Sequence, residues 1–364
     1  MQAITGQPNP TNGHTTPLRI AMVAPPWFEV PPEGYGGIEA MCAVLVDELV
    51  SRGHEVILLG AGRDRTLGKF VPVLAEPPSV RLGDPMVETL YAALSARALQ
   101  ELDVDVVHDH CLVGPLAAAG RFAPTVVTGH GPMHADLGHY YRALDDAIHL
   151  VAISESQRRD APDLPWAGTV HNAVVVDDLP YRDRAGKEDW CLFLGRMSPE
   201  KGALHAIAAA RASGRRLLLI GKCNEPPEHN YFEQVVRPHL GSGAEWLGEV
   251  DTATRNDLLA RAACLLFPIQ WEEPFGMVMV EAMACGTPVV ALRRGAAPEV
   301  IAHGVSGLLC DRPDELPAAI DRAALLDPAR CRRHAREHFD VAVMAAGYER
   351  VYQRVLARVA TAPA

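Results

Sequence analysis

The stretch EPFGMVMVE, which runs from Glu273 to Glu281, decides how this chain is interpreted. Pro274 and Gly276 are typical of a helix entry, so Glu273 belongs to the loop before the helix and Glu281 to its second turn. The first N–H groups of such a helix have no partner within it, and together with the helix dipole they favour a bound anion. A ligand that carries both phosphate and hydroxyl groups suits this arrangement. A nucleotide sugar is such a ligand.

The longer segment FPIQWEEPFGMVMVEAMACGTPVVA, residues 267–291, resembles the donor-site signature of the retaining glycosyltransferases of family 4, also called group 1 glycosyltransferases. That signature has two glutamates separated by seven residues. Glu273 and Glu281 fit the spacing, whereas Glu272 is one place off. The resemblance covers nearly the whole chain, from LRIAMVAPP to the helical pattern that ends near Val359. It implies the GT-B fold, in which two doubly wound, Rossmann-like α/β domains face each other across a cleft.

Short apolar runs alternate with helical patterns, and the alternation occurs twice. The runs are RIAMVA, EVILLG, VDVVHD, TVVTGH and HLVAIS in the first half, and WCLFLG, RLLLIG, AEWLGEV, CLLFPI and PVVAL in the second. Such runs between helices predict parallel strands with crossover connections. We expect a disordered tail, an N-terminal domain, a linker, a C-terminal domain and a last helix, with the bounds 1–17, 18–171, 172–187, 188–340 and 341–364. The resemblance implies that the last helix returns to the N-terminal domain.

Composition restricts the class of protein. The 364 residues suffice for two domains with separate cores, and no apolar run approaches the length of a membrane span, ~20 residues. The first 17 residues lack the basic start and apolar centre of a signal peptide. The eight cysteines form no CxxC pair, so we expect a reduced, cytoplasmic protein. A net charge of −11 argues against nucleic acid as a partner, and an anionic substrate would need a local cluster of cations.

The segment LGRMSPEKG supplies such cations directly after a predicted strand. Arg196 offers a planar fork to phosphate oxygens, and Lys201 offers a movable point charge. A lysine at a helix start is mildly disfavoured by the helix dipole, which favours a functional role over that of an ordinary exposed residue. Both residues resemble the family's pyrophosphate-binding pair, and they would stabilise a leaving diphosphate.

Glycines and a histidine follow strands of the predicted N-terminal domain. In EGYGGIEA the pattern GxGxxG fails, because Glu39 stands where the third glycine belongs, and a Gly36-Gly37 turn remains that lets backbone approach a ligand. The family has this glycine pair near the donor phosphate and the acceptor. His130 resembles the family's active-site histidine, which approaches the donor sugar. The alternatives are an ordinary flexible loop for the glycines and a hydrogen-bonded strand-end residue for His130.

The run DVVHDH raises the question of a metal site. His108 and His110 lie on one face of the predicted strand, but Asp109 points to the other face, and the sequence offers no identifiable third ligand. Enzymes of the GT-B fold generally need no bound metal. We therefore expect no metal and no other cofactor, and a functional role is favoured less for His110 than for His130.

Three further segments carry weaker signals. WLGEVD resembles the loop that holds the nucleobase, through backbone groups near Val250. RRGAAPEVI resembles the loop near the sugar and phosphates, although Glu299 is equally suited to capping its own helix. The basic segment RCRRHAREH, residues 330–338, could meet an acidic acceptor or a membrane surface, but a solvated helix face is the favoured interpretation.

The sequence thus predicts a retaining glycosyltransferase that moves a hexose from a nucleoside diphosphate sugar, with UDP-sugar weakly favoured over GDP-sugar, to an acceptor hydroxyl. Glu273 would hold sugar hydroxyls, and Glu281 the ribose hydroxyls. The predicted catalytic residues are Glu273, Arg196, Lys201 and His130, and the predicted donor-binding residues are Gly36, Gly37, Val250, Phe275, Gly276, Met277, Val278 and Glu281. The alternatives are a non-catalytic nucleotide-sugar-binding protein and, less favoured, a glycosidase or a phosphorylase. The acceptor depends on loops such as 25–35 and 132–141, whose sequences identify none.

Overall fold

The computed structural model describes residues 16–34 and 36–361, so the expected disordered tail lies outside the described residues except for its last two positions. The described residues form two parallel sheets, ordered β3-β2-β1-β4-β5-β6-β7 and β10-β9-β8-β11-β12-β13. The first sheet consists of β1 (Arg19–Val23), β2 (Glu55–Ala61), β3 (Lys69–Leu74), β4 (Val106–Asp109), β5 (Thr125–Gly129), β6 (His149–Ala152) and β7 (Trp166–Thr169). The second consists of β8 (Trp190–Leu194), β9 (Arg216–Ile220), β10 (Ala244–Trp246), β11 (Cys264–Phe267), β12 (Val289–Leu292) and β13 (Gly307–Cys310).

Helices connect the strands and cover both faces of each sheet. Those of the first half are α1 (Gly37–Ser51), α2 (Pro85–Gln100), α3 (Ala135–Leu144) and α4 (Glu155–Asp160). Those that follow are α5 (Ala203–Ala212), α6 (Pro226–Tyr231), α7 (Thr252–Arg261), α8 (Met277–Ala284), α9 (Ala297–Val300), α10 (Leu316–Ala323), α11 (Pro328–Phe339) and α12 (Val341–Thr361). None of the helices in the described part of the chain has the length and apolar character needed to cross a bilayer.

The central strands are apolar along their whole length because helices pack on both faces of the sheet. In β1 the four residues after Arg19 are fully buried, and β11 and β12 are buried throughout. Local signals set the helix starts. Asp84 accepts the N–H of Met86 ahead of α2, and Asp251 accepts the N–H of Thr254 ahead of α7, which satisfies amides that have no partner within the helix.

Each sheet contains one point where the direction of winding reverses. In the first sheet it lies between β1 and β4, and in the second between β8 and β11. The crevice outside the carboxyl ends of the strands at such a point is where open α/β sheets bind ligands. The two sheets therefore confirm the predicted GT-B architecture and define where its site residues should lie.

Three strands were absent from the sequence-based expectation, namely β3, β7 and β13. The strand β3 carries Pro72 and lies at a sheet edge, where the missing proline N–H is tolerated. The edge strands β7 and β13 have only four residues each. Their sequences, WAGT and GLLC, each contain a glycine, a residue depleted in strands, and neither is a continuous Val/Ile run.

The last helix, α12, packs in the core of the first sheet. Tyr348 and Tyr352 are fully buried there, and the Glu349 carboxylate accepts the Arg52 guanidinium N–H at 2.7 Å. At the start of this helix the N–H of Val341 donates to Val174 O, and the N–H of Val174 donates to Phe339 O. The chain thus passes between the two halves twice, and the two passages are hydrogen-bonded to each other.

Candidate active site

Four candidate residues follow the strands at the two reversal points, whereas His130 follows β5 and Val250 follows β10. Gly36 lies in the loop after β1, and His110 directly follows β4. Lys201 lies in the loop after β8, and Glu273 in the loop after β11. The sequence-based placement at the carboxyl ends of strands therefore agrees with the topology, and the residues fall into a C-terminal and an N-terminal group.

Lys201 and Glu273 form an ion pair in the C-terminal group. Lys201 Nζ lies 2.5 Å from Glu273 Oε2, and both side chains are largely buried. The same oxygen accepts the indole N–H of Trp271 at 2.9 Å, and the ammonium lies 5.4 Å from the centre of that indole ring. A charge-assisted bond with little water around it holds the carboxylate in one position at the end of β11.

Glycine makes this contact possible by letting the two loops approach closely. Gly202 has φ 78°, and a Cβ at this position would come within 2.0 Å of the Pro268 carbonyl oxygen. The N–H of Gln270 donates to Glu200 O at 2.7 Å, which joins the loop after β11 to the loop that carries Lys201. Any side chain at residue 202 would push Lys201 away from Glu273.

Arg196 has two carboxylate neighbours in its own half of the molecule. Its guanidinium lies 3.5 Å from Glu200 and 3.6 Å from the buried Glu228. The other oxygen of Glu228 accepts the N–H groups of Asn224 and Glu225 at the start of α6. The cations predicted to bind diphosphate thus have carboxylate counterions. Sequence analysis assigned no role to Glu200, which lies within LGRMSPEKG, and missed Glu228, which belongs to no recognisable motif.

The start of α8 combines a glycine turn with a buried aromatic ring. Gly276 has φ 83°. A Cβ at this position would lie 2.9 Å from the ring of Phe267 and 2.9 Å from the terminal methyl group of Met279. Phe275 is buried and lies 5.8 Å from His171 and 6.0 Å from Phe339, measured between ring centres. The ring of Phe275 therefore packs in the core, and only the backbone of this residue remains as a candidate contact to a ligand.

The half-buried residues Met277 and Val278 begin α8, and Glu281 lies one turn further along. Arg255 of α7 brings its guanidinium within 3.6 Å of the Glu281 carboxylate. Val250 is half-buried in the loop between β10 and α7 and packs against the core of the second sheet. Sequence analysis missed Arg255, which stands inside an ordinary helix pattern and follows no motif.

Histidines dominate the N-terminal group. His130 Nε2 lies 3.0 Å from His110 Nδ1, and His108 hydrogen-bonds to Thr128 and Tyr352, each at 2.8 Å. Burial lowers the pKa of His108 to about 3 and that of His130 to about 4, and it also lowers the pKa of His110. The three imidazoles are therefore uncharged at neutral pH.

Asp109 points away from these histidines, as the strand period predicted. Its carboxylate accepts the Arg121 guanidinium at 2.9 Å on the other face of β4, and both side chains are buried. Among residues 16–34 and 36–361, no three His, Cys, Asp or Glu side chains are grouped so that they could hold a metal ion. Within DVVHDH, Asp109 is thus held by an ion pair, and His108 and His110 are held by hydrogen bonds.

Gly36, Gly37 and His130 line one cavity of about 380 Å³ in the N-terminal half. Gly36 has φ 144°, and a Cβ there would lie 3.0 Å from Pro32. The two glycines therefore sit beside the predicted histidine, which the sequence alone could not establish.

Glu299 connects the two halves rather than capping its own helix. Its carboxylate accepts the N–H groups of Glu155 at 2.8 Å and Ser156 at 2.9 Å, and His171 Nε2 lies 3.1 Å away. Burial acts to raise the pKa of Glu299, but the hydrogen bonds from His171 and the two amides outweigh it and hold the pKa below its usual value. The loop RRGAAPEVI is thus tied to the start of α4.

Comparison with known proteins shows the family. The model described as glycosyl transferases group 1 matches residues 181–338, and the model described as glycosyltransferase family 4 matches residues 35–178. A phosphatidyl-myo-inositol mannosyltransferase of Mycolicibacterium smegmatis is 30% identical, over 93% of this chain and 94% of that protein. The chain belongs to the group 1 glycosyltransferases.

Other relatives and solved structures support the same assignment. An alpha-maltose-1-phosphate synthase of Mycolicibacterium smegmatis is 30% identical, over 80% of this chain and 84% of that protein. The glycosyltransferase AviGT4, involved in avilamycin A biosynthesis, shares 32% identity with a TM-score of 0.72, over 94% of this chain and 98% of that one. Anabaena HepE, solved with UDP and glucose, has a TM-score of 0.68 at 18% identity, over 95% of this chain and all of that one. At 18% identity, the similarity to HepE shows a shared fold alone.

One residue of this glycosyltransferase that sequence analysis missed lies directly behind His130. The Gln157 side chain is buried, and its Nε2 donates to Gly129 O at 2.9 Å and to Gly131 O at 2.7 Å. Its Oε1 accepts the N–H of Ile153. Gln157 therefore fixes the backbone on both sides of the histidine, and it belongs to the helix whose start is bound by Glu299. A glutamine that bonds to carbonyls leaves no spacing signal in a sequence.

The basic segment also has a role other than the three considered from sequence. Arg332 donates to the carbonyl oxygens of Val176 at 2.8 Å, Leu179 at 3.0 Å and Ala284 at 2.7 Å. The Arg336 guanidinium pairs with Asp177. Arg332 and Arg336 thus hold the segment between the two sheets against the C-terminal half, while Arg330 and Arg333 are exposed, as expected of a solvated helix face.

Proposed function

We propose that this glycosyltransferase transfers a hexose from a nucleoside diphosphate sugar to an acceptor hydroxyl with retention of the anomeric configuration. The donor would lie along the carboxyl ends of β8 and β11, with its diphosphate near Arg196 and Lys201 and the start of α8. Glu273 would hold the sugar hydroxyls, and Glu281 the ribose hydroxyls. Val250 would lie near the base, and Gly36, Gly37 and His130 would face the donor from the other half.

The observation that carries this proposal is the contact between Lys201 and Glu273. The pair places a cation and a hydroxyl-binding carboxylate side by side at the strand ends, which matches the junction of phosphate and sugar in a nucleotide sugar. A diphosphate that enters would compete with the carboxylate for the ammonium and gain the first amides of α8 as further donors. The ion pair therefore acts as a preorganised half of the site.

The proposed reaction needs stabilisation of the leaving group. The acceptor oxygen attacks the anomeric carbon, the bond from that carbon to the phosphate oxygen breaks, and its electrons remain on the phosphate. The acceptor proton passes to the same phosphate oxygen, so attack and departure occur on one face and the configuration is kept. Preorganised donors aimed at the growing charge contribute about 10²–10³-fold each.

UDP-sugars are favoured over GDP-sugars as donors. This preference rests on similarity to a solved structure rather than on contacts that identify the nucleobase. HepE, which has a similar fold, was solved with UDP and glucose. The relatives named above include a mannosyltransferase and a synthase of maltose-1-phosphate, which is in keeping with a hexose.

A binding and transfer series tests the proposal. Thermal unfolding is followed with UDP-, GDP- and ADP-sugars, since a ligand that binds only the folded state stabilises it by RT ln(1 + [L]/Kd). The donor that binds is then offered with acceptors, and proton NMR reads the anomer of the first product. We expect one donor class to raise the melting temperature and an α-linked donor to give an α-linked product. Binding without transfer in any acceptor screen would support a non-catalytic nucleotide-sugar binder, and an inverted product would contradict retention.

A further inference from the structure

The short helix α4 belongs to the first half of the molecule, but its start is bound from the other half. The Glu299 carboxylate accepts the N–H of Glu155 at 2.8 Å and the N–H of Ser156 at 2.9 Å. The same carboxylate lies 3.1 Å from Nε2 of His171, which follows β7. One side chain of the C-terminal half is therefore bonded to three groups of the chain before the segment that joins the two sheets.

Helix α4 depends on this carboxylate from outside. It has six residues, and at its start the Ser154 hydroxyl accepts the N–H of Gln157. The first N–H groups of a helix have no acceptor within it, and Glu299 supplies one for Glu155 and Ser156. A helix of this length has little stability of its own and takes its position from contacts with its surroundings.

The buried side chain of Gln157 transmits the position of α4 to His130. Its Nε2 donates to Gly129 O at 2.9 Å and to Gly131 O at 2.7 Å, which are the carbonyls on either side of the histidine. Its Oε1 accepts the N–H of Ile153 at 2.8 Å. A displacement of α4 would leave these buried groups without partners, which is costly, so the backbone of His130 moves with the helix.

We propose that Glu299 is a positioning residue for His130, which acts across the two halves through α4 and Gln157. The position of His130 in the site thus depends on the docking of the C-terminal half on this helix. The proposal rests on the proposed function for the role of His130 beside the donor sugar. The alternative, that Glu299 only joins the two halves, predicts a loss of stability without any change at His130.

The first test follows the imidazole of His130 by NMR without any donor. In protein with labelled histidine rings, the signal that is missing from His130→Ala identifies this residue. We expect Glu299→Gln to shift the signal, because a carboxamide has one acceptor oxygen where the start of α4 needs two. Gln157→Leu should shift it as well, because it frees both carbonyls beside the histidine. A His130 signal that stays in place in Glu299→Gln overturns the proposal.

Asp340→Asn is the matched control. The Asp340 carboxylate also binds backbone at the junction of the two halves, where it accepts the N–H of Val176 at 3.2 Å and that of Ala342 at 3.2 Å. These bonds lie at the segment between the sheets and at α12, so this variant should leave the His130 signal in place. An equal shift in Asp340→Asn would mean that any loosening of the junction moves His130, and it would overturn the specific role of Glu299.

The second test is a double-variant cycle on turnover. We expect Glu299→Gln to lower kcat about tenfold while binding of the bare nucleoside diphosphate stays within about twofold, because the donor residues of the C-terminal half keep their contacts. In a His130→Ala background the same substitution should lower kcat less than about twofold further, since residues that act through one another are not additive. A full tenfold loss in that background would overturn the proposal. If His130→Ala itself leaves kcat unchanged, the proposed function is contradicted at this residue, whereas the NMR shift still decides whether Glu299 positions it.

Discussion

The two sheets reverse their winding in the same way, but the groups gathered at the two reversal points are electrostatic opposites. At the C-terminal point Lys201 and Glu273 form an ion pair, and Arg196 has carboxylate neighbours. At the N-terminal point burial keeps His110 and His130 uncharged beside an apolar cavity. One architecture thus carries a charged edge at the second sheet and, at the first sheet, an edge whose histidines are uncharged, here called the neutral edge. The difference teaches that topology fixes where ligands bind, whereas the strand-end side chains decide which ligands.

Of the changes that test this contrast between the two edges, Lys201→Ala is expected to have the largest effect on activity. Removing the ammonium takes away a charged donor to the diphosphate and leaves the largely buried Glu273 carboxylate without its cation. We expect kcat/KM for the identified donor to fall about 10²–10³-fold, with weaker donor binding. Steady-state kinetics and calorimetry measure both. Arg216→Ala is the control, because Arg216 is an exposed cation paired with Glu245, and a Lys201→Ala enzyme as active as this control would place the phosphate site elsewhere.

A second prediction separates the two glutamates of the charged edge. Glu281→Gln should weaken binding of the bare nucleoside diphosphate about 10–100-fold, because a charged hydrogen bond to the ribose is worth about 1.5–3 kcal/mol. Glu273→Gln should keep nucleotide binding within about twofold while turnover falls, since its partner is the sugar. Titration with the nucleotide alone, followed by single-turnover rates, distinguishes the two. Equal loss of nucleotide affinity in both variants would contradict the roles assigned here.

The neutral edge predicts a loss of stability in acid. The folded-state pKa values of His108 and His130 are about 3 and 4, below the ordinary 6.5, so the unfolded chain takes up protons first as the pH falls. Stability contributed by the neutral histidines is therefore complete above pH 6.5 and is lost toward pH 4, by about 1.4 kcal/mol per pH unit for each histidine. Glu39 opposes this trend, since its folded pKa of about 7 exceeds its ordinary value of 4.5.

Urea unfolding at several pH values checks whether the free energy of unfolding falls as the pH falls. Between pH 6 and pH 5 we expect a net loss of about 1–2 kcal/mol in the wild type, because the two histidines are opposed by Glu39, and a loss larger by about 1.4 kcal/mol in Glu39→Gln, which removes the opposing group. A stability that is flat between pH 7 and pH 4.5 would show that the histidines are not held neutral, and the contrast between the two edges would disappear.

The smallest effect is expected from removal of divalent cations. In the proposed site the diphosphate charge is met by Arg196, Lys201 and the start of α8, so exhaustive treatment with EDTA should change the transfer rate less than about twofold. A rate that collapses and returns with Mg²⁺ or Mn²⁺ alone would mean that the charged edge is incomplete without a metal.

More of the charged edge than of the neutral edge was predicted from the sequence, for a physical reason. Lys201 and Glu273 stand in segments with fixed spacing after recognisable strands, so motif and topology could be combined. Glu228, the partner of Arg196, and Arg255, the partner of Glu281, could not be found, since long-range ion pairs require coordinates. The fold was predicted except for edge strands such as β3, where Pro72 masks the strand pattern.

The neutral edge is built from residues far apart in the chain. Trp27 and Leu112 come from two loops and Tyr141 from α3, and single apolar side chains in such places carry no motif. Gln157 acts through carbonyl oxygens, which every residue possesses. Glu299 was identified as a helix-start residue, but which helix it serves depends on how the two halves pack.

A crystal structure with an unreactive donor analogue tests the central claim most directly. The account predicts that the diphosphate oxygens lie within hydrogen-bond distance, about 3 Å, of Arg196, Lys201 and the first amides of α8. The Lys201–Glu273 contact should lengthen as the ammonium turns to the phosphate and the carboxylate to the sugar. A diphosphate bound away from Arg196 and Lys201, with their ion pair unchanged, would contradict the account.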